Sequence, residues 1–270
     1  MPELPEVETT IRGIEPHLAG QQIARVVVRE PRLRWPVPPD VIKAEGQKFV
    51  HLRRRGKYML LTLQTGGLIS HLGMSGSLRI LEQPLAPEKH DHVDIELANG
   101  TCLRFNDPRR FGAFLWVEGD LESHELLRDL GPEPLSDAFT ADYLYAASRG
   151  RKVAIKNFIM NGHVVVGVGN LVASESLFMA GIHPNRAAGR VSLQRFEGLV
   201  AAIRDVLGRA IRRGGTTLRD FVNSEGSPGY FAQELLVYDR AGSDCFQCGA
   251  PIRKKVIGQR SSYYCPACQR

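Results

Sequence analysis

A chain of 270 residues with 43% hydrophobic content is long enough for one large or two ordinary domains and can bury a sizeable core. Its formal charge of +6 and isoelectric point near 9.2 favour an anionic partner. No apolar run approaches the roughly 20 residues that span a bilayer, and the acidic start lacks the basic and apolar regions of a secretory signal. The expectation is therefore a cytoplasmic protein with no membrane partner.

The chain opens Met1-Pro2-Glu3-Leu4-Pro5-Glu6-Val7-Glu8. Once Met1 is removed, Pro2 carries a free secondary amine. An α-amino group titrates near ~7.7–8.0, so part of it is unprotonated at neutral pH. Such an amine can attack a sugar carbon and form a covalent Schiff base, with the neighbouring Glu3 moving protons. A rigid, helix-initiating proline with no catalytic duty would look the same at this stage. Behind it, Val7, Ile11, Ile14 and Leu18 recur at helical spacing, predicting a helix over 7–18 that Pro16 weakens and Gly20 ends.

From 22 to 118 the pattern becomes short β-rich runs: 22–29, 49–52, 58–64, 67–72, 77–81, 92–97, 101–105 and 112–117. Turn signals such as Asn99-Gly100 separate them, which suggests an antiparallel sandwich or barrel. The Gly- and Pro-rich stretch from Leu130 to Ser136 marks a domain boundary. Beyond it the spacing is helical over 141–148, 153–160, 170–180 and 193–212, with Asn170 in a capping position. The expected domains are 1–130, 136–238 and 239–270.

The sharpest motif lies last. Cys245-x2-Cys248 and Cys265-x2-Cys268 are separated by sixteen residues, a spacing that presents four thiolates to one zinc ion. Four sulfurs close the shell, so this zinc is structural. Arg253, Lys254, Lys255 and Arg260 lie between the pairs, and no acidic residue occurs from Cys245 to Arg270, giving a small finger with a basic surface. Cys102, among apolar strand residues, reads as a buried inert thiol. Gly167-Val168-Gly169-Asn170 is a glycine turn opening a helix, where backbone N–H groups attract phosphate oxygens. Basic clusters at 53–57, 109–110, 149–152 and 212–213 fall in both halves and suit a phosphate backbone, or solvated surfaces. His71, His90 and His92 lack metal-ligand spacing and read as phosphate contacts or satisfied core groups.

These residues together resemble the formamidopyrimidine-DNA glycosylase family. The resemblance runs over essentially the whole chain and rests on Pro2–Glu8, Gly56-Lys57-Tyr58, His71–Gly76, Asp107–Gly112, Gly167–Asn170 with Ala173-Ser174-Glu175, Pro228–Phe231 and the four cysteines. It implies an α+β fold of two domains. The first is an antiparallel β-sandwich flanked by helices; the second is a helical domain with a helix–two-turns–helix and a four-cysteine β-hairpin zinc finger. It implies a monomeric, bacterial, nucleoid-associated repair enzyme that binds damaged double-stranded DNA and one structural Zn2+. Oxidised purines would be removed, and the strand then cut by β,δ-elimination.

By the same resemblance, Pro2 attacks C1′ and Glu3 assists as acid or base. Lys57 supplies a proton in β-elimination, and Arg260 serves δ-elimination. Asn170 and Arg260 grip phosphates, while His90, Arg109 and Arg151 contact DNA. Met74, Arg109 and Phe111 fill the gap left by the extruded base, although from the residues alone Met74 and Phe111 read as core. Residues 219–237 correspond to a loop that closes over that base. The sequence departs from the family at Val172, where tyrosine is common, and at Asp239, where glycine is frequent. Leu4 favours this family over the sibling endonuclease VIII, which acts on oxidised pyrimidines. That activity, and a non-catalytic zinc-finger DNA-binding protein, are the alternatives.

Overall fold

The computed structural model describes residues 2–215 and 234–270. The stretch 219–237 compared with a closing loop therefore lies outside the described residues up to 233, as does Pro228–Phe231. Backbone contacts divide the chain into two compact units, Met1–Arg128 with Ile211–Ala232, and Asp129–Ala210 with Gln233–Arg270.

In the first unit, helix α1 spans Leu4–Leu18. Glu3 is its N-cap, in a reciprocal capping box with Glu6, and Pro5 sits in its first turn, where a missing N–H costs nothing. The helix starts earlier than the apolar spacing predicts because these caps, rather than hydrophobic period, set its beginning. It also runs through Pro16 to Leu18. One intrahelical bond is lost there, but Ile14 and Leu18 are fully buried on either side and Ala19 N–H closes the end on Glu15 O at 2.9 Å.

Eight strands follow: β1 (Ile23–Val28), β2 (His51–Arg55), β3 (Tyr58–Thr62), β4 (Gly66–His71), β5 (Ser77–Leu81), β6 (Asp91–Leu97), β7 (Cys102–Asn106) and β8 (Ala113–Glu118). They form two four-stranded antiparallel sheets, ordered β1-β6-β7-β5 and β2-β3-β4-β8. One apolar core joins Val7, Ile11, Ile14 and Leu18 of α1 to Ile95, Leu103 and Phe105 of the first sheet and Met59, Leu61, Leu68 and Phe114 of the second. This is the expected sandwich with a helix packed against it. Phe49, expected to start a strand, instead exchanges backbone bonds with Gly20 and Gln21, so β2 begins two residues later.

The second unit holds helices α2 (Ala141–Ser148), α3 (Ile155–Ile159), α4 (Asn170–Met179) and most of α5 (Leu193–Arg212), then the hairpin β9 (Arg253–Ile257) and β10 (Arg260–Tyr264). Helix α3 is shorter than its apolar pattern because Ala154 bridges Ala187 and Ile155 N–H donates to Arg186 O at 2.7 Å, pinning the entering chain as an extended segment. α5 buries Phe196, Leu199, Ile203, Val206 and Leu207 along one face. From that helix Arg204 donates to the carbonyls of Pro134, Ser136 and Phe139, so the Gly- and Pro-rich stretch is held down by a side chain. No described helix is long and apolar enough to cross a membrane.

Candidate functional site

Pro2 is buried at the head of α1, and Glu3 beside it is 9% exposed. Capping gives Glu3 a structural duty: its N–H donates to Glu6 Oε2 at 2.8 Å. Lys57 lies in the two-residue turn between β2 and β3, where Gly56 takes φ 59, a left-handed value that suits glycine at a hairpin's first turn position. Arg54 connects these two places. Its Nε donates to Glu8 Oε2 of α1 at 2.9 Å and its Nη1 to the Gly56 carbonyl at 3.0 Å. One guanidinium thus ties the helix behind Pro2 to the turn that carries Lys57.

Two loops of the same unit meet backbone to backbone. Gly73 has φ 61, and a Cβ there would stand 2.4 Å from the Phe111 carbonyl carbon. Gly112 is equally close-packed, its Cβ position 2.6 Å from His71 O. Only glycine permits this approach. The loops carry Met74, half-buried, and Arg109 and Phe111, both exposed, with the Arg109 guanidinium 5.0 Å from the Phe111 ring centre. Phe111 is 43% exposed, so it is not the core residue that its apolar character suggests.

His71 Nδ1 accepts the Gly73 N–H at 2.9 Å, and burial, then the cations of Lys57 and Arg34, lower its pKa to about 4. His92 is buried and its Nε2–H donates to the Asp107 carbonyl at 2.8 Å. Both are satisfied, as one of the two readings of these histidines holds.

His90 is partly exposed and precedes β6. Its neighbour Asp91 belongs to a buried ionic network that the sequence pattern does not reveal. Arg104 on β7 grips Asp94 on β6 through Nε at 2.8 Å and Nη2 at 2.8 Å, and reaches Asp91 at 3.2 Å. Arg29 adds a 2.6 Å bond to Asp94. Burial pushes Asp94 upward, but the two guanidiniums outweigh it and hold its carboxyl below the usual range. Arg104 also donates to the carbonyls of Leu85 and Ala86, fastening the loop before His90 to the sheet. Arg104, placed between Leu103 and Phe105 on β7, is the one hint in the sequence of a buried charge here, and it does not say which carboxylates meet it. Cys102 behaves as expected: it is fully buried, and its thiol is pushed up to about 12 by that burial, aided by the Asp94 charge.

In the second unit Arg151 is exposed beyond α2. Asn170 is the first residue of α4 rather than its cap, which is Gly169. Its amide is engaged elsewhere, with Nδ2 donating to Ser261 O at 3.0 Å, while Oδ1 is buried with no hydrogen-bond partner among the described residues. Lys156 of α3, fully buried, donates to the same carbonyl at 3.0 Å and to Ser262 Oγ at 2.6 Å. Arg260 is exposed at the start of β10, just past a Gly258-Gln259 turn with φ values of 57 and 62, the type I′ pattern of two-residue hairpins.

The four cysteine sulfurs lie within 4.8 Å of one another, with Cys248 to Cys265 at 3.5 Å and Cys245 to Cys268 at 3.9 Å. A tetrahedral zinc with Zn–S bonds of about 2.3 Å requires sulfurs about 3.8 Å apart, so the set fits one zinc closed by four thiolates. Gln269 supports it, accepting the Cys265 N–H at 2.8 Å and donating to the Ile182 carbonyl at 2.9 Å. Asp239, beside the finger, takes φ 59, which gives a physical reason for glycine to be frequent there.

Three family descriptions match this chain in order: the formamidopyrimidine-DNA glycosylase N-terminal domain over residues 1–114, its H2TH domain over 130–222, and the zinc finger found in FPG and IleRS over 242–270. The formamidopyrimidine-DNA glycosylases of Alcanivorax borkumensis and Pseudomonas aeruginosa are each 59% identical to it, covering all of both chains. The chain belongs to the formamidopyrimidine-DNA glycosylase family. Its fold agrees. A Lactococcus lactis FPG variant in complex with DNA containing Fapy-dG superposes with a TM-score of 0.92 at 32% identity, covering 100% of each chain. MutM (FPG) from Thermus thermophilus gives 0.89 at 38% identity, covering 99% of this chain and 98% of that one. The activity is that of the family, a base-excising DNA glycosylase with abasic-site lyase activity, and the second unit contains its H2TH helices and zinc finger.

Sequence reasoning misses residues that hold others in place, Asp91, Asp94, Arg104 and Lys156, and it reads Arg54 only as part of a basic cluster, whereas the structure ties it to Glu8 and Gly56. It includes Glu175 in a motif but gives it no role. Glu175 is 1% exposed on α4 and accepts the N–H groups of Leu236, Val237 and Tyr238 at 2.8–2.9 Å.

Proposed function

We infer that this protein removes 8-oxoguanine and formamidopyrimidines from duplex DNA through a Schiff base on Pro2. The observation that carries this reading is the placement of Pro2, buried at the head of a capped helix that Arg54 ties to the turn bearing Lys57. A secondary amine held there is pre-oriented, and it loses little freedom on attack.

With Met1 removed, the Pro2 nitrogen bonds to C1′ of the damaged nucleotide as the bond from C1′ to the base breaks. Glu3 moves the proton that lets the sugar ring open. The iminium that results makes the C2′ proton acidic; its loss expels the 3′ phosphate, with Lys57 serving proton transfer. Loss of the 5′ phosphate follows, served by Arg260. Cys245, Cys248, Cys265 and Cys268 would hold one structural zinc, which would supply no chemistry of its own but would keep folded the hairpin that presents Arg260.

The DNA is damaged duplex. Extruding a base costs a few kcal/mol. Met74, Arg109 and Phe111, exposed or half-buried on their two loops, form a wedge that fills the vacated space: a flexible thioether, a cation and an aromatic ring. His90, Arg109 and Arg151 contact the DNA, while Arg260 and the second Nδ2 hydrogen of Asn170, the first being donated to Ser261 O, grip phosphates. The net charge of +6 supports that electrostatic share.

Borohydride trapping tests the proposal. The untagged protein is expected to crosslink to duplex carrying 8-oxoguanine opposite cytosine, and far less to one carrying an oxidised pyrimidine. Pro2→Gly and an N-terminal tag should both abolish the crosslink. Full trapping by a tagged protein, or an adduct mapped to a lysine side chain, rules out the terminal amine.

A further inference from the structure

Asp107 has no part in the chemistry above, yet its side chain is wholly buried at the base of the two wedge loops. Its Oδ2 accepts the Gly112 N–H at 2.8 Å. Its Oδ1 accepts the Ser75 hydroxyl at 2.8 Å and the Arg109 N–H at 3.3 Å. Ser75 Oγ accepts the same Arg109 N–H at 3.2 Å. The Asp107 backbone is fixed as well, donating to His90 O at 3.0 Å and accepting His92 Nε2–H at 2.8 Å and Arg110 N–H at 3.2 Å.

Each wedge residue thus sits one bond or one residue from an atom held by this carboxylate. Ser75 follows Met74, Arg109 is bonded directly, and Gly112 follows Phe111. Between them Arg110 is held at φ 57, a left-handed value that costs energy for a residue with a Cβ. A loop kept in that conformation is fixed by its surroundings.

We propose that Asp107 is a positioning residue for helix opening: it fixes Met74, Arg109 and Phe111 in a single register, so that they enter the duplex as one body. This rests on the reading of those three residues as the wedge. The carboxylate acts through acceptance alone. Oδ2 faces the Gly112 N–H and Oδ1 the Arg109 N–H, so an amide in either orientation turns an NH2 group toward a backbone N–H that can only donate. The consequence is confined to substrates whose helix must be opened. A single-stranded abasic site presents its sugar with no stack to breach.

The test compares Asp107→Asn and Ser75→Ala with the parent protein on two substrates. On duplex with 8-oxoguanine opposite cytosine, Asp107→Asn is expected to lower single-turnover excision by about tenfold or more, the scale of a sub-ångström to 1 Å misplacement. Borohydride trapping on single-stranded abasic DNA is expected to stay within about twofold of the parent. A 2-aminopurine beside the lesion, which brightens on unstacking, should show a smaller and slower rise. Ser75→Ala, which removes one strut and keeps the carboxylate, should move the same readouts in the same direction by less. Melting temperature and zinc content accompany every variant. If Asp107→Asn does not fold, Ser75→Ala decides alone, and unchanged duplex excision by it overturns the proposal. Equal losses on both substrates also overturn it, because they reveal general damage. Phe111→Ala separates the two levels. If it leaves duplex excision intact, the wedge reading falls and the proposal with it. If it impairs duplex excision while Asp107→Asn and Ser75→Ala do not, the proposal alone falls.

Discussion

Lys156 Nζ, with no solvent exposure, donates to Ser262 Oγ at 2.6 Å, two residues past Arg260. A second bond from the same nitrogen meets the Ser261 carbonyl at 3.0 Å, which Asn170 also reaches. The start of β10 is therefore latched to α3 and α4 by two side chains, and Arg260 inherits that position. Two variants separate stability from positioning. Ser262→Ala removes one buried hydrogen bond of Lys156 and should cost about 1–3 kcal/mol. Lys156→Met removes the buried charge with its cost and should destabilise less. It should nonetheless loosen Arg260 and raise the proportion of β- over β,δ-elimination product on a sequencing gel. An unchanged product ratio in Lys156→Met would show that Arg260 does not depend on the latch.

Glu175 on α4 holds the backbone of residues 236–238. Its two oxygens accept three consecutive-residue N–H groups, from Leu236, Val237 and Tyr238. Glu175→Gln puts an amide NH2 against one of those donors, and each buried unsatisfied group costs about 1–3 kcal/mol. Amide hydrogen exchange should show faster exchange at 236–238, with the exchange of β3 and β4 unaltered. Protection at 236–238 equal to the parent would mean that the backbone finds other acceptors.

The legible parts of this molecule are those written in one local pattern. The two CxxC pairs, the short β-rich run of β5 and the helical spacing of α2 and α5 each declare themselves locally, and the element boundaries fall where the sequence puts them. The illegible parts are relationships between distant residues. Arg104 and Asp94 stand ten residues apart on adjoining strands, and nothing in either strand alone says that the two side chains meet inside the sheet. Asp107 shows the same limit. It heads a recognisable motif, but its hold on Ser75 spans 32 residues and appears only when two loops are folded together. Asn suits caps, and the spacing puts Asn170 in one; the structure uses its amide on a hairpin carbonyl 91 residues away.

The neutral state of His71 is measurable. Its Nδ1 can accept the Gly73 N–H only while unprotonated, and burial, followed by the charges of Lys57 and Arg34, lowers its pKa to about 4. Histidine in an unfolded chain titrates near about 6.5. Between these values the unfolded chain binds a proton that the folded one refuses, so stability should fall as pH drops from about 6.5 to about 4 and then level off as far as this group is concerned. Nitrogen-detected NMR should place the His71 midpoint near about 4, and Lys57→Met should move it upward. A midpoint above about 6, close to that of an unperturbed histidine, would contradict the packing described.

The hydrophobic cluster under the finger includes Cys245 and Cys265 themselves, packed with Phe178, Val237, Ile252 and Tyr263. Without metal, four thiols with sulfurs as close as 3.5 Å have no ion to hold them, and this cluster loses its organising centre. Chelation, or Cys265→Ser, should therefore cost duplex affinity and δ-elimination together, since both draw on the hairpin that carries Arg260. Because Pro2 and Lys57 belong to the other unit, borohydride trapping at high concentrations of single-stranded abasic DNA should persist in the metal-free protein. Colorimetric zinc release run beside a binding titration makes the comparison. Retention of full duplex affinity after stoichiometric zinc loss would remove the finger from the DNA interface.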